Sequence, residues 1–173
     1  MGTWQCACPV FAGPGNLEHI MKNATLAKRL IAEQKMAVLS TNSKRHAGFP
    51  FGSVVGYALD FEARPLLLIS GLAIHYRNLE ADPRASLTMF EDEAQADPTN
   101  AARVTLVGEV TSVPDADREA AKAAYLARHP DSGQWIDFGD FSLVRMEVKD
   151  LFFIAGFGSM GWILPGDYKE ALS

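Results

Sequence analysis

The chain has 173 residues, of which 48% are hydrophobic and 21% are charged, a length and composition typical of one globular domain with a substantial core. Its formal net charge of −5, with no basic patch, argues against a nucleic-acid partner, because a phosphate backbone binds through lysine and arginine. No apolar run is long enough to span a membrane and the N-terminus lacks the pattern of a signal peptide, so we expect a cytoplasmic protein with no membrane partner.

We expect a flexible N-terminal segment over residues 1–15 and a single domain over 16–173. The segment carries both cysteines, Cys6 and Cys8, which are too close in sequence for an ordinary structural disulfide. They are expected to be reduced thiols or a crosslinking site. A zinc site needs four ligands and only His19 lies nearby, so no metal site is predicted.

The domain begins with a predicted helix from Asn16 to Lys35, since apolar residues recur at helical spacing after a competent N-cap. The pattern then changes to that of strands. Met36 to Thr41 is a short apolar run, 42–48 is a polar turn, and Phe49 to Ala58 alternates. The two runs are therefore predicted to pair as a hairpin.

One face of the second strand carries only small or compact residues, including Gly52, Val54 and Gly56. Glycine weakens a strand, so two glycines on one face indicate that another surface approaches the backbone closely. Either a packed helix or a flat aromatic ring would explain this face, and the strand alone favours neither.

The later elements are predicted from apolar runs that are bounded by Pro, Asp and Gly. In chain order they are strand Leu66–Ser70, helix Ala73–Ala81, strands Arg84–Phe90 and Arg103–Val113, helix Asp115–Arg128, and strands Phe141–Val148 and Leu151–Phe157. Six or seven strands with few helices predict a mainly β fold, a small antiparallel barrel with flanking helices.

The junction between the third strand and the second helix holds the one promising group of functional side chains. A helix N-terminus offers unpaired N–H groups, which suit a phosphate, and Ser70, His75 and Arg77 add further donors. The alternative is that Ser70 only caps the helix while the other two are exposed. Residues two apart on a helix do not share a face. His75 and Arg77 can therefore reach the same phosphate only if the first turn is irregular or if the Arg77 side chain bends back.

Segments 67–70 and 75–84 of this junction resemble the signature of the pyridoxamine-5′-phosphate-oxidase-like split barrels. Within that superfamily they are most similar to the haem-utilisation (HugZ-type) branch and the related CREG glycoproteins. Three further parts of the chain match the same families in order and spacing: 48–53, 102–108, and 140–141 together with 156–158. The resemblance covers nearly the whole chain from Ala24 onward and implies an FMN-binding split β-barrel of six or seven antiparallel strands.

The resemblance also implies a homodimer with the cofactor, FMN, at the interface between two barrels. The residues that it places at the FMN phosphate are Ser70, His75 and Arg77, and it adds the neighbouring Asn78 to the cofactor-binding residues. The residues that it places along the isoalloxazine ring are Phe51, Gly52, Ser53 and Val54. It implies that Arg103 contacts the flavin or a haem edge, and Thr105 shares the face of Arg103. The alternative for Arg103 is a surface arginine at a strand end.

Departures from the family pattern limit what the resemblance implies. True pyridoxamine-phosphate oxidases have an Arg-Lys pair where this chain has Ile74-His75, and they end in an arginine-containing tail that 163–165 lacks. Haem-degrading relatives ligate iron through a histidine beyond the last strand, whereas no histidine follows His129 here. The tail residues left to reach iron are Met160 and Tyr168.

The leading interpretation is an FMN-dependent oxidoreductase that acts on a small-molecule substrate, in which the flavin carries the redox chemistry and no catalytic side chain is predicted. The nucleophile-elbow, P-loop and zinc-protease motifs are all absent. The first alternative is a HugZ-type haem-binding or haem-degrading protein, with haem bound weakly in the same cleft. The second is a CREG-like binding module without enzymatic activity.

Overall fold

The computed structural model describes residues 14–92, 97, 99–155 and 159–170. Its helices and strands are α1 (Pro14–Glu33), β1 (Met36–Asn42), β2 (Pro50–Leu59), β3 (Pro65–Ser70), α2 (Ile74–Ala81), β4 (Arg84–Phe90), β5 (Ala102–Ser112), α3 (Arg118–Arg128), β6 (Phe141–Ala155), β7 (Met160–Ile163) and α4 (Pro165–Glu170). Both cysteines, residues 1–13 of the expected N-terminal segment, and segment 156–158 of the resemblance lie outside the described residues. None of the helices described is long and apolar enough to cross a membrane.

Seven antiparallel strands form one sheet in the order β3-β2-β1-β4-β5-β6-β7, and β3 also pairs with the first half of β6. This extra pairing closes six strands into a barrel and leaves β7 as an added strand beside β6. Closure pairs both edges of the six-stranded sheet. The predicted mainly β fold, an antiparallel split barrel with flanking helices, is confirmed.

A row of aliphatic side chains crosses the inside of the barrel in register. The row consists of Leu39, Leu87, Leu106, Leu151 and Ile163, directly paired from β1 through to β7. None of the five is more than 1% exposed, and the inner face of α1 packs on the same core. Each such side chain contributes about 1.5–3 kcal/mol when it is fully buried, so this row is a major source of the stability of the barrel.

The two strands predicted over 141–148 and 151–157 are one continuous strand, β6. The prediction was wrong because the polar pair Lys149-Asp150 has the composition of a turn. In the structure Lys149 is the extra residue of a β-bulge, where the pairing register between β5 and β6 shifts by one. A bulged strand bends without leaving the sheet, so β6 pairs with β3, β5 and β7 along its length.

After β6 the structure has one more strand and one more helix than the sequence predicts. β7 and α4 have no predicted counterpart, because the prediction ends the last strand at Phe157 and leaves a short tail. Four residues are too few for strand alternation to stand out, and β7 owes its order to its pairing with β6. α1 begins two residues before its predicted start and ends two residues before its predicted end.

The small face of β2 is covered at one end only. A Cβ atom on Gly56 would lie 3.2 Å from Cε1 of His129 and 3.4 Å from the hydroxyl of Tyr125, at the end of α3. The packed helix is therefore the correct explanation at Gly56. A Cβ atom on Gly52 would lie 3.7 Å from Cγ1 of Val38, its nearest neighbour, which is on the adjacent strand. None of the described helices covers this half of the face.

Candidate functional site

The outward-facing residues of β1, β2, β4, β5, β7 and the second half of β6 form one continuous surface, which we call the open face. Its central row is directly paired across six strands: Val54, Val38, Thr88, Thr105, Phe152 and Trp162. The hydroxyl oxygens of Thr88 and Thr105 lie 3.0 Å apart in the middle of this row. The helices leave its two ends in solvent, where Val54 is 71% and Trp162 is 55% exposed.

Several large apolar side chains lie on the open face. Those exposed to solvent are Met36, Val54, Phe90, Met160 and Trp162. Phe152 and Trp162 meet edge to face with their ring centroids 5.1 Å apart, which holds the indole in place. A contiguous exposed apolar surface of this kind is typical of a site for a flat apolar ligand or for a second protein.

The four residues predicted along the flavin ring divide between the two sides of β2. Gly52 and Val54 lie on the open face, whereas Phe51 and Ser53 point to the opposite side, since successive strand residues alternate. Phe51 lines a small cavity of about 220 Å³ with His46 at the end of the β1–β2 hairpin. The structure therefore does not bring the four together on one surface.

Arg103 lies on the open face as a cation among apolar side chains. It is paired with Phe90 on β4 and with Ile154 on β6, and it shares its face with Thr105, as predicted. The side chain is half-buried, and its Nη1 donates to the carbonyl of Ala101 at 3.4 Å. This position suits a carboxylate at the edge of an apolar ligand.

Contacts within the chain occupy part of the predicted phosphate junction. The hydroxyl of Ser70 donates to Oδ2 of Asp140 at 3.3 Å and accepts the backbone N–H of Leu72 at 3.2 Å. The N–H of Gly71 donates to the Asp140 carbonyl at 2.6 Å, and the N–H of Ala73 to the Ser70 carbonyl at 3.0 Å. Three backbone donors and the serine hydroxyl are thus already bonded at the entrance to α2.

His75 and Arg77 lie on the first turns of α2 with different exposure. His75 is half-buried, and burial lowers the pKa of its imidazole, which favours the neutral form. Arg77 is exposed and has no acidic partner among the residues that the structure describes. Of the side chains predicted at the phosphate, Arg77 is the one that carries a full positive charge.

Asn78 has a scaffolding position in this structure. It is 2% exposed, its Nδ2 donates to the hydroxyl of Thr41 at 2.9 Å, and its Oδ1 accepts the N–H of Lys44 at 2.9 Å. Both amide atoms therefore hold α2 against β1 and the β1–β2 turn. The predicted site residues thus form two groups, the junction with Ser70, His75, Arg77 and Asn78, and the open face with Gly52, Val54 and Arg103.

Few described side chains are placed to ligate a metal. No group of three or more His, Cys, Asp or Glu in the described part of the chain could hold an ion. Tyr168 is 4% exposed, and burial raises its pKa to about 12, so it is not accessible as a ligand. Met160 is 56% exposed on the open face. Of the two tail residues considered for iron, only Met160 is therefore accessible.

A family profile described as CREG, beta-barrel matches residues 18–170, nearly the whole chain. The chain belongs to this CREG β-barrel family. The suspected place among the split barrels, near the HugZ and CREG branch, is confirmed.

Haem recurs in the names of the relatives of this CREG β-barrel chain. The chloroplastic haem oxygenase HOZ of Arabidopsis thaliana is 40% identical over 119 residues, which are 69% of this chain and 36% of HOZ. The haem oxygenase HutZ of Vibrio cholerae serotype O1 is 33% identical over 96 residues, 53% of this chain and 54% of HutZ. A solved structure of a haem-binding protein from Mycobacterium smegmatis superimposes with a TM-score of 0.79 at 32% identity, covering 86% of this chain and 60% of that one. The chain spans about a third to a half of the length of the curated relatives it matches.

Sequence reasoning missed the aromatic part of the open face. Phe90, Phe152 and Trp162 are absent from the predicted site, although alternation along 84–90 puts Phe90 on the same side as Thr88. Trp162 lies in the strand that was not predicted, so no sequence pattern connected it with Phe152. For this CREG β-barrel chain, the relatives favour the haem alternative over the leading FMN interpretation.

Proposed function

We propose that this chain is a haem-binding split-barrel protein whose activity is haem degradation. The observation that carries the proposal is the 40% identity to HOZ, which is named as a haem oxygenase, over 69% of this chain. The solved haem-binding protein with the same fold supports it. The FMN-dependent oxidoreductase has weaker support, since none of these relatives is named for a flavin.

The open face provides the surface that a porphyrin needs. Its exposed Phe90 and Trp162 offer apolar contact to the macrocycle, and the guanidinium of Arg103 next to Phe90 suits a propionate. Thr88 and Thr105 supply two hydroxyls in the central row of this face. Bound haem would supply the redox chemistry, while this chain would bind and orient it.

A second copy of the chain would complete the cleft. The open face exposes large apolar side chains on four of its six strands, and a ligand lying on it would remain half in solvent without a cover. Two open faces that pack together would shield the ligand on both sides and bury roughly 2,000 Å² or more in total, as obligate dimers do. We therefore propose a homodimer with the cofactor at its interface.

A haemin titration followed by ascorbate tests the proposal. We expect a Soret band that saturates near one haemin per chain, that lacks a low-spin bis-histidine spectrum, and that is lost after ascorbate is added in air. Trp162→Ser should weaken haemin binding about tenfold, whereas Phe61→Ser, which alters an exposed aromatic residue of the β2–β3 turn, should not.

Two other outcomes would favour the alternatives. A protein that shows no Soret shift and no flavin spectrum would match the CREG-like binding module, which the family profile supports. A protein that is purified with tightly bound FMN, or that binds FMN more tightly than haemin, would restore the flavin interpretation.

A further inference from the structure

The Ser70 junction holds a negative charge where a phosphate site needs a neutral or positive group. The carboxylate of Asp140 lies 3.3 Å from the Ser70 hydroxyl and accepts its hydrogen bond, while the same hydroxyl oxygen accepts the N–H of Leu72. The one hydrogen-bond donor of the hydroxyl is therefore not left for a phosphate oxygen. A phosphate oxygen that replaced this bond would come close to the Asp140 carboxylate, and like charges at such distances repel.

The backbone fixes Asp140 at this place. Its carbonyl accepts the N–H of Gly71 at 2.6 Å, and a Cβ added to Gly71 would lie 3.4 Å from the same carbonyl oxygen. The start of β6 is also paired here, Phe141 with Ser70. The backbone of Asp140 therefore cannot leave the junction without disturbing the pairing that closes the barrel, and its exposed carboxylate is held there by the bond to Ser70.

We infer that Asp140 is a specificity residue whose carboxylate lowers the affinity of the Ser70 junction for a phosphate monoester and so selects against FMN. Among the described residues of this junction, Arg77 is the one with a full positive charge. Arg77 and Asp140 are both exposed, so salt screens the attraction and the repulsion alike, and low salt reveals their effect on a phosphate. The inference goes beyond haem binding and does not rest on it, because it is tested with flavins alone.

The test compares FMN with riboflavin, which differ only in the phosphate. Titrations that follow flavin fluorescence are made at low salt with the full-length wild-type chain and with Asp140→Asn, which keeps the size of the side chain and removes its charge. We expect Asp140→Asn to bind FMN about tenfold more tightly than the wild type and to change riboflavin affinity less than twofold. Asp131→Asn is the matched control, since Asp131 is an exposed carboxylate of the preceding 3₁₀ turn, outside the junction.

Each other result overturns the inference. An unchanged ratio of FMN to riboflavin affinity would do so, as would an equal gain in Asp131→Asn. The absence of measurable FMN binding by Asp140→Asn would also count against it. A thermal melt checks that Asp140→Asn is folded. Asp140→Ser also removes the carboxylate while the carbonyl of residue 140 still accepts the Gly71 N–H, so it should show the same gain in FMN affinity. A failed haemin titration would contradict the proposed function and leave this result unaffected.

Discussion

Asn78 and Ser70 lie on either side of the same strand-to-helix junction, and both use their polar atoms inside the chain. Asn78 is the most buried of the predicted site residues and bonds to Thr41 and to the backbone of Lys44. Ser70 bonds to Asp140 and Leu72. The sequence predicted that these residues belong to one junction, but it could not predict their bonds, because every partner except Leu72 is distant in sequence.

Replacing Asn78 should therefore affect stability before ligand binding. Asn78→Ala removes the donor to the Thr41 hydroxyl, which keeps its bond to the Phe51 carbonyl, and leaves the Lys44 N–H without its partner. The loss of both bonds should lower the free energy of unfolding by about 2 kcal/mol. Asn42→Ala removes an exposed amide bonded to Asp82 and should cost less than about 1 kcal/mol. Urea unfolding measures both, and equal effects would show that the buried position of Asn78 is unimportant.

The half-buried imidazole of His75 should make stability depend on pH. Burial lowers its pKa in the folded chain, so the unfolded chain, with a pKa of about 6.5, binds the proton more tightly. Stability should thus fall as pH drops through about 6.5 and level off below the folded pKa. His75→Gln should flatten this part of the curve of melting temperature against pH, whereas His46→Gln, at an exposed position, should not. Parallel curves for the wild type and His75→Gln would contradict this prediction.

At the scale of elements, the strand β6 depends on one glycine of its neighbour β5. A Cβ on Gly108 would lie 2.2 Å from the backbone oxygen of Glu147. The two strands can therefore approach this closely beside the bulge at Lys149 only if residue 108 is a glycine. Gly108→Ala should destabilise the fold by about 3 kcal/mol, because backbone atoms must move apart. Gly161→Ala on β7, where a Cβ meets nothing within 4 Å, should change the melting temperature little. A Gly108→Ala protein as stable as the wild type would show that the bulge relaxes freely.

The elements that the sequence predicted well are those whose pattern is local. β1 to β5, α2 and the body of α3 follow from apolar runs and from Pro or Asp at their ends. β6 depends instead on pairing with the distant strands β3 and β5, and the bulge at Lys149 has the same composition as a turn. β7 pairs with the neighbouring β6, but its four residues are too few to show an alternating pattern. The open face could be predicted only in part for the same reason, because Trp162 joins Phe152 through the register of β6 with β7.

At the scale of the whole molecule, the barrel separates a sealed interior from one exposed apolar side. The inner row from Leu39 to Ile163 is buried within the chain, and α3 covers the outer side of β2 near Gly56. Neither α3 nor another described helix covers the exposed residues of the open face. The proposed haem site and the proposed dimer contact therefore share the same surface, and a charge placed on it should disturb both.

Val54→Asp should convert the proposed dimer into a folded monomer with weakened haemin binding. Val54 is 71% exposed at one end of the central row, so a carboxylate there costs little in a monomer but must be desolvated in a dimer. We expect the wild type to have the mass of two chains by light scattering at micromolar concentration, and Val54→Asp the mass of one. Phe61→Asp, which removes a 76% exposed aromatic residue away from the open face, should remain a dimer. A monomeric wild type, or a Val54→Asp protein that still dimerises, would show that the open face is not the contact between subunits.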